Sequence, residues 1–317
     1  MKKRNEVPDS LLPLSAKGMT RIYAPERWRL FTKSADITQG YGPDDLRFVR
    51  TDPPALTPNM EDVRDQRYAK FFPNGVKRAG KFPGTTGIVP GLSRTVVNIF
   101  DSGFLDWRLT LPCGDEFDRR LERDSLRMYF NIHQAVVSAD DKLLYVVRSN
   151  VRESWNGAIL GVHSFGYSTD VDGTNDRIMD DLLRYQGAGM FFQAQLAVLR
   201  EFNPAEKALI QPHELRVDNG SCFTLHVQPN DFGIHLCFVT HLLRESGNLL
   251  KERADYPMSS RVAEYCWQDF NEGSMVEFFA KYHKRLATTT EPAILMACVQ
   301  RFGPDFLKSL PYECNLL

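Results

Sequence analysis

The stretch that decides the fold runs Cys222-Phe223-Thr224-Leu225-His226-Val227, then Gln228-Pro229-Asn230-Asp231-Phe232, then Gly233-Ile234-His235-Leu236-Cys237-Phe238-Val239-Thr240-His241. Two runs rich in β-branched and aromatic residues flank a segment of Pro, Asn and Asp, the residues that favour chain reversal. This pattern predicts an antiparallel hairpin. With the turn centred on Pro229-Asn230-Asp231, His226 faces His235 and Thr224 faces Cys237. Side chains alternate across a strand, so Phe223, Leu225, Val227, Ile234, Leu236 and Phe238 share one apolar face. Cys222, Thr224, His226, His235 and Cys237 share the other.

That second face carries the chemistry. Directly opposed side chains have Cβ atoms about 4.5–5.5 Å apart, close enough for imidazoles and thiolates to converge on one ion. The expected ligands are His226, His235, Cys237 and Cys222, and the expected cofactor is zinc, which takes nitrogen and sulfur donors in tetrahedral sets. Three protein ligands and an open position would bring a bound water to a pKa of about 7 and support hydrolysis. The opposing reading is a wet sheet face with ordinary polar histidines, or thiols under a second layer. A one-residue slip of register would scatter the set.

Outward from the hairpin, Thr95-Val96-Val97-Asn98-Ile99-Phe100 reads as a strand, and Leu105 to Leu111 alternates apolar and polar. A charged helix is expected from Asp115, with Phe117, Leu121 and Leu126 inward. Ala135 to Ser138 and Leu143 to Val147, on either side of Asp140-Asp141, predict a second hairpin. Residues 174–202 hold the longest helical pattern, interrupted by Gly187 and Gly189, which mark a helix break or a close approach of backbones. Met275, Phe278, Phe279, Tyr282 and Leu286 line one helix face, with Ser274 as the expected N-cap. Thr290 caps the next helix, Pro292 suits its first turn, and Gly303 follows its end. The fold class is α+β: an antiparallel sheet with hairpins plus a helical C-terminal third.

Ten of the 18 prolines fall within residues 1–92. Proline removes a donor and fixes φ, so long regular elements are not expected there. Exceptions are a helix from Met60 to Phe71, a strand at Arg27–Phe31 and a turn at Gly40–Asp45. Residues 1–92 are therefore expected to be a mostly irregular region that packs on an α+β core domain of residues 93–317.

The 317 residues are 43% hydrophobic and 25% charged, which suits a globular chain with a sizeable core. Lys and Arg number 39 against 40 Asp and Glu, so no basic excess points to nucleic acid. One local cluster, Lys77, Arg78 and Lys81, supports a third-ranked reading as a nucleic-acid-associated factor. Six cysteines without a CxxC pair suggest reduced thiols and a cytoplasmic setting. Pro8 and Pro13 interrupt the N-terminal apolar residues, so a signal peptide is not expected, and no apolar run approaches a membrane span.

Asp170-Val171-Asp172-Gly173-Thr174-Asn175-Asp176 shares alternating oxygens with calcium loops, making Asp170, Asp172 and Asp176 a second candidate metal set. Its glycine is misplaced for an EF-hand and no glutamate closes it, so a polar turn that caps the next helix is the stronger reading. Gly114-Asp115-Glu116-Phe117, Gly91-Leu92-Ser93-Arg94 and Gly84-Thr85-Thr86-Gly87 each lack the partner residues of the motifs they echo. The expected function is a non-catalytic interaction or assembly protein, with a protein partner or a homo-oligomer. The alternative is a metal-dependent, zinc-type hydrolase built on residues 222–241.

Overall fold

Two long parallel strands, β6 (Met128–Ser138) and β12 (Gly233–Leu242), lie side by side in the middle of one mixed sheet. The computed structural model describes residues 20–24, 28–71, 81–91, 93–103, 128–148, 158–164, 174–203, 207–226, 233–256, 262–287 and 289–316. Ahead of β6 come β1 (Thr20–Ala24), β2 (Trp28–Phe31), β3 (Leu46–Arg50), β4 (Lys81–Val89) and β5 (Thr95–Gly103). Between the central strands lie β7 (Lys142–Arg148), β8 (Ile159–Leu160), β9 (Val162–Ser164), β10 (Leu215–Val217) and β11 (Cys222–His226). Then follow β13 (Val262–Asp269) and β14 (Asn315–Leu316). The helices are α1 (Pro58–Phe71), α2 (Thr174–Phe202), α3 (Ser246–Ala254), α4 (Glu272–Tyr282) and α5 (Glu291–Phe302).

The main path of the sheet is β14-β1-β2-β11-β12-β6-β4-β5-β3. Strands β7 and β9 also pair with β6, β10 pairs with β12, and β8 and β13 pair with β7. The α+β class is correct, and most ladders are antiparallel as expected. Two are not: β6–β12 and β3–β5 are parallel. The physical reason is the connection. Parallel neighbours need a long crossover, and α2 lies in the chain between β6 and β12. Strands β1 to β4, all drawn from the first 92 residues, hydrogen-bond into this same sheet, β2 on β11, β3 on β5, and β4 on β5 and β6.

Alternation decides which layer covers each face. Phe223, Ile234, Leu236 and Phe238 pack into one cluster with Ile178, Leu182 and Met190 of α2. Cys222, Cys237, Val239, Ala135 and Val137 pack into another with Phe278 of α4 and Ile294 of α5. The central strands are thus buried on both faces, between α2 on one side and α4 and α5 on the other.

Local signals held at several points. Helix α1 spans the expected segment, and β2 occupies Trp28–Phe31. The Asp140-Asp141 turn joins β6 to β7, with Asp141 at φ 51°. Helix α4 begins earlier than expected. Its cap is Asn271, whose side chain accepts from Ser274 N at 3.0 Å, because an amide oxygen here reaches the N–H of the third helical residue. The expected strand at Leu105–Leu111 and the helix from Asp115 lie outside the described residues. Among the described residues, no helix is long and apolar enough to cross a membrane.

Both readings of Gly187 are met. Gln186 leaves helical geometry at φ 55°, ψ −134° and breaks α2. Its side chain compensates: Nε2 donates to Leu183 O at 2.6 Å, and Oε1 accepts from Phe48 N at 2.7 Å. Next to it, a Cβ at Gly187 would collide with the Pro43 carbonyl. Gly187→Ala is therefore expected to cost about 3 kcal/mol in urea unfolding, an overpacking penalty. Gly247→Ala, in α3 with open space around it, should gain up to about 1 kcal/mol in the same assay.

A pH dependence follows from Asp140. Burial alone would raise its carboxyl, but hydrogen bonds from Ser138 Oγ, Ser246 N and Ser246 Oγ outweigh it and lower the pKa to about 2. A depressed native pKa adds stability above the unfolded value of about 3.9, and that stability is lost as pH falls through the folded value. The gap in urea midpoint between the parent and Asp140→Asn should therefore shrink as pH falls from about 4 to about 2.

Candidate site on the histidine-bearing sheet face

The β11–β12 hairpin keeps the expected faces but not the expected partners. Cys222 stands opposite Cys237, Thr224 opposite His235, and Leu225 opposite Ile234. The pairing is shifted by two residues, and a two-residue shift preserves which residues share a face. His226 pairs along the backbone with Trp28 of β2 and not with His235. The side chain of His226 is outside the described residues.

The parallel ladder adds residues that the hairpin alone does not reveal. Cys237 stands beside His133, His235 beside Asn131, and Gly233 beside Tyr129. The imidazoles of His133 and His235 meet edge to face, with centroids 4.5 Å apart. The Tyr129 ring approaches His235 in the same manner at 4.8 Å. A Cβ at Gly233 would enter the Tyr129 ring, so glycine at this position leaves room for that ring. His235 is 0% and His133 4% exposed. In the β6–β9 ladder, His133 is paired with His163, whose side chain is not described.

The N-terminus of α5 brings a buried carboxylate to this half of the molecule. Glu291 Oε2 accepts from Trp28 Nε1 at 3.0 Å in the interior. A negative charge in the first helical turn is favoured by the helix dipole. Thr290 is the N-cap as expected, yet its hydroxyl makes no cap bond and instead accepts from Gly161 N at 3.1 Å. The strand-to-helix contact therefore replaces the local cap.

Burial disfavours the thiolate form at Cys237, Cys298 and Cys314. Burial, with Cys222 alongside, raises the Cys237 thiol well above its ordinary value. Burial does the same to Cys298, and burial with the Glu291 charge pushes Cys314 up to about 12. The five described cysteines are all free thiols. Among the described residues, no three His, Cys, Asp or Glu side chains form a group that could hold a metal ion. Cys222, Cys237 and His235 thus share a face without forming such a group by themselves. Asp170 and Asp172 lie outside the described residues, as does the side chain of Asp176 in the first turn of α2. Lys77 and Arg78 are also outside, and Lys81 is described only as backbone of β4.

Sequence reasoning missed His133, Tyr129, Trp28 and Glu291. The available signal was Asn131, His133 and Gln134 interrupting an apolar run. No protein-family model matches the chain, and no curated protein matches it in sequence.

Trp28→Phe keeps the aromatic packing and deletes the donor to Glu291. It is expected to lower stability by about 2 kcal/mol, the scale for disturbing a buried hydrogen bond to a charged group. In the same urea series Glu291→Gln, which keeps an acceptor, should cost less than Glu291→Ala.

Proposed function

We propose that the protein is a non-catalytic interaction or assembly protein whose partner is a second copy of itself. The observation that carries this reading is on α2. Phe192 and Tyr185 are 50% and 51% exposed on either side of the break at Gln186, on a helix that otherwise packs on the sheet. Ala188 is exposed between them, and Leu196 is half-buried one turn beyond Phe192. Large apolar side chains grouped on one surface mark association sites more often than scattered ones do.

Charge supports a self-complementary pairing. Asp180 is exposed toward one end of α2 and Arg200 toward the other. A two-fold pairing can set opposite charges such as these of the two copies against each other, as isologous contacts allow. The net charge of −1 leaves little self-repulsion to oppose it.

The second reading, a zinc-type hydrolase using His226, His235, Cys237 and Cys222, draws on the contact between His133 and His235. Burial of that face weighs against it, because a hydrolytic ion needs a position open to substrate and water.

The test is sedimentation equilibrium or light scattering of the full chain. The parent should form dimers, and Phe192→Glu combined with Tyr185→Glu should weaken them by at least about tenfold, or 1.4 kcal/mol. A parent that stays monomeric at high concentration would overturn the proposal.

A further inference from the structure

Cys222 and Cys237 stand directly opposite one another in the antiparallel β11–β12 ladder, and both are free thiols. We propose that this pair is a redox-sensitive modification site, at which a peroxide converts the two thiols into a cross-strand disulfide that locks β11 to β12. The site is independent of the α2 surface and involves no metal ion.

Register selects this pair. Directly opposed residues of an antiparallel ladder have Cα atoms about 4.5–5.5 Å apart. A disulfide takes Cα separations of about 4.4–6.8 Å, so the backbone already stands within range. Cys222 also hydrogen-bonds the Cys237 thiol, so the sulfurs are already turned toward each other. Each residue is 0% exposed, and both belong to the cluster covered by α4 and α5. No other described cysteine has a cysteine opposite it in a ladder. Cys266 stands opposite Tyr145, Cys298 is on α5, and Cys314 precedes β14.

The oxidant supplies everything the step needs. With hydrogen peroxide, the O–O bond breaks as one oxygen joins the first sulfur, giving a sulfenic acid and a water. The second sulfur then attacks the first, the S–O bond breaks, and a second water leaves with the second thiol's proton. Two electrons pass from the sulfurs to the peroxide. Burial sets the pace, because the thiolate is the reactive form and burial opposes it at Cys237. The pair therefore reacts when β11 opens locally, and it stays reduced while the sheet is closed. Once formed, the link suits a dry interior, since it carries no charge and no proton to lose. It also closes the connection between β11 and β12, which removes freedom from the unfolded chain. Strand β11 carries β2, and through it β1 and β14, so the link fastens that arm of the sheet to the central strands.

The experiment treats the folded full chain with hydrogen peroxide, alkylates the remaining thiols in denaturant, and maps the products by mass spectrometry. Cleavage before Asp231 separates the two cysteines, so a link holds two peptides together until a reductant releases them. The parent should show the Cys222–Cys237 link within single chains on a non-reducing denaturing gel. Its urea midpoint should rise on oxidation and fall back on reduction. Peroxide should not raise the midpoint of Cys222→Ser or Cys237→Ala, with circular dichroism checking that each is folded. Peptide mapping of the parent decides the matter if neither variant folds. Thiols that both remain open to alkylation after peroxide would overturn the proposal. So would their separate oxidation without a link, a link to a different cysteine, or a linked chain whose urea midpoint is not raised. Oligomeric state, read separately, distinguishes failure of this site from failure of the α2 surface.

Discussion

The parallel ladder between β6 and β12 is the constraint on which the rest depends. It extends from Tyr129 beside Gly233 to Ser138 beside Leu242 without a break. Because the two strands are central, neither face can be left to water. One face is covered by α2 and the other by α4 and α5. Polar groups within the ladder need partners as well. Gln134 Nε2 donates to Ala194 O of α2 at 2.8 Å, and Thr240 Oγ1 donates to Gln134 Oε1 at 2.6 Å. One side chain thus joins both central strands to the helix above them, and a buried network of this kind specifies the register as well as adding stability.

The two faces of the ladder differ in character. Toward α2, polar groups are few and are joined in that small network. Toward α5, the same strands present the imidazoles of His133 and His235 and the thiol of Cys237, and Glu291 is buried in the same half of the molecule. The core on that side is less purely apolar than the chain needed for packing alone. Chemistry placed there serves the fold first, because the side chains that carry it are shut away from solvent.

Much of this was legible in the sequence where one face differs from the other. Alternation revealed the faces of β11 and β12 correctly, and helical spacing revealed α2, α4 and α5. The hairpin partners were wrong because the turn centre lies one residue earlier than Pro229-Asn230-Asp231 suggests, and such an error moves the pairing by two. Face membership survived, since side-chain direction repeats every two residues. The first half of β6 was not read at all. A strand buried on both faces has no alternation to show, and Asn131 and His133 resemble interruptions. Long-range pairings such as His133 with His163 are set by topology and leave no local trace.

The break in α2 has a consequence beyond helix geometry. Strand β3 is the last on its side of the sheet path, and an outermost strand offers free backbone groups as a template for foreign strands. Gln186 occupies the Phe48 N–H with its own amide oxygen. The irregular turn that brings this amide to the strand therefore acts as an edge guard, protecting the protein from sheet-to-sheet aggregation at that position.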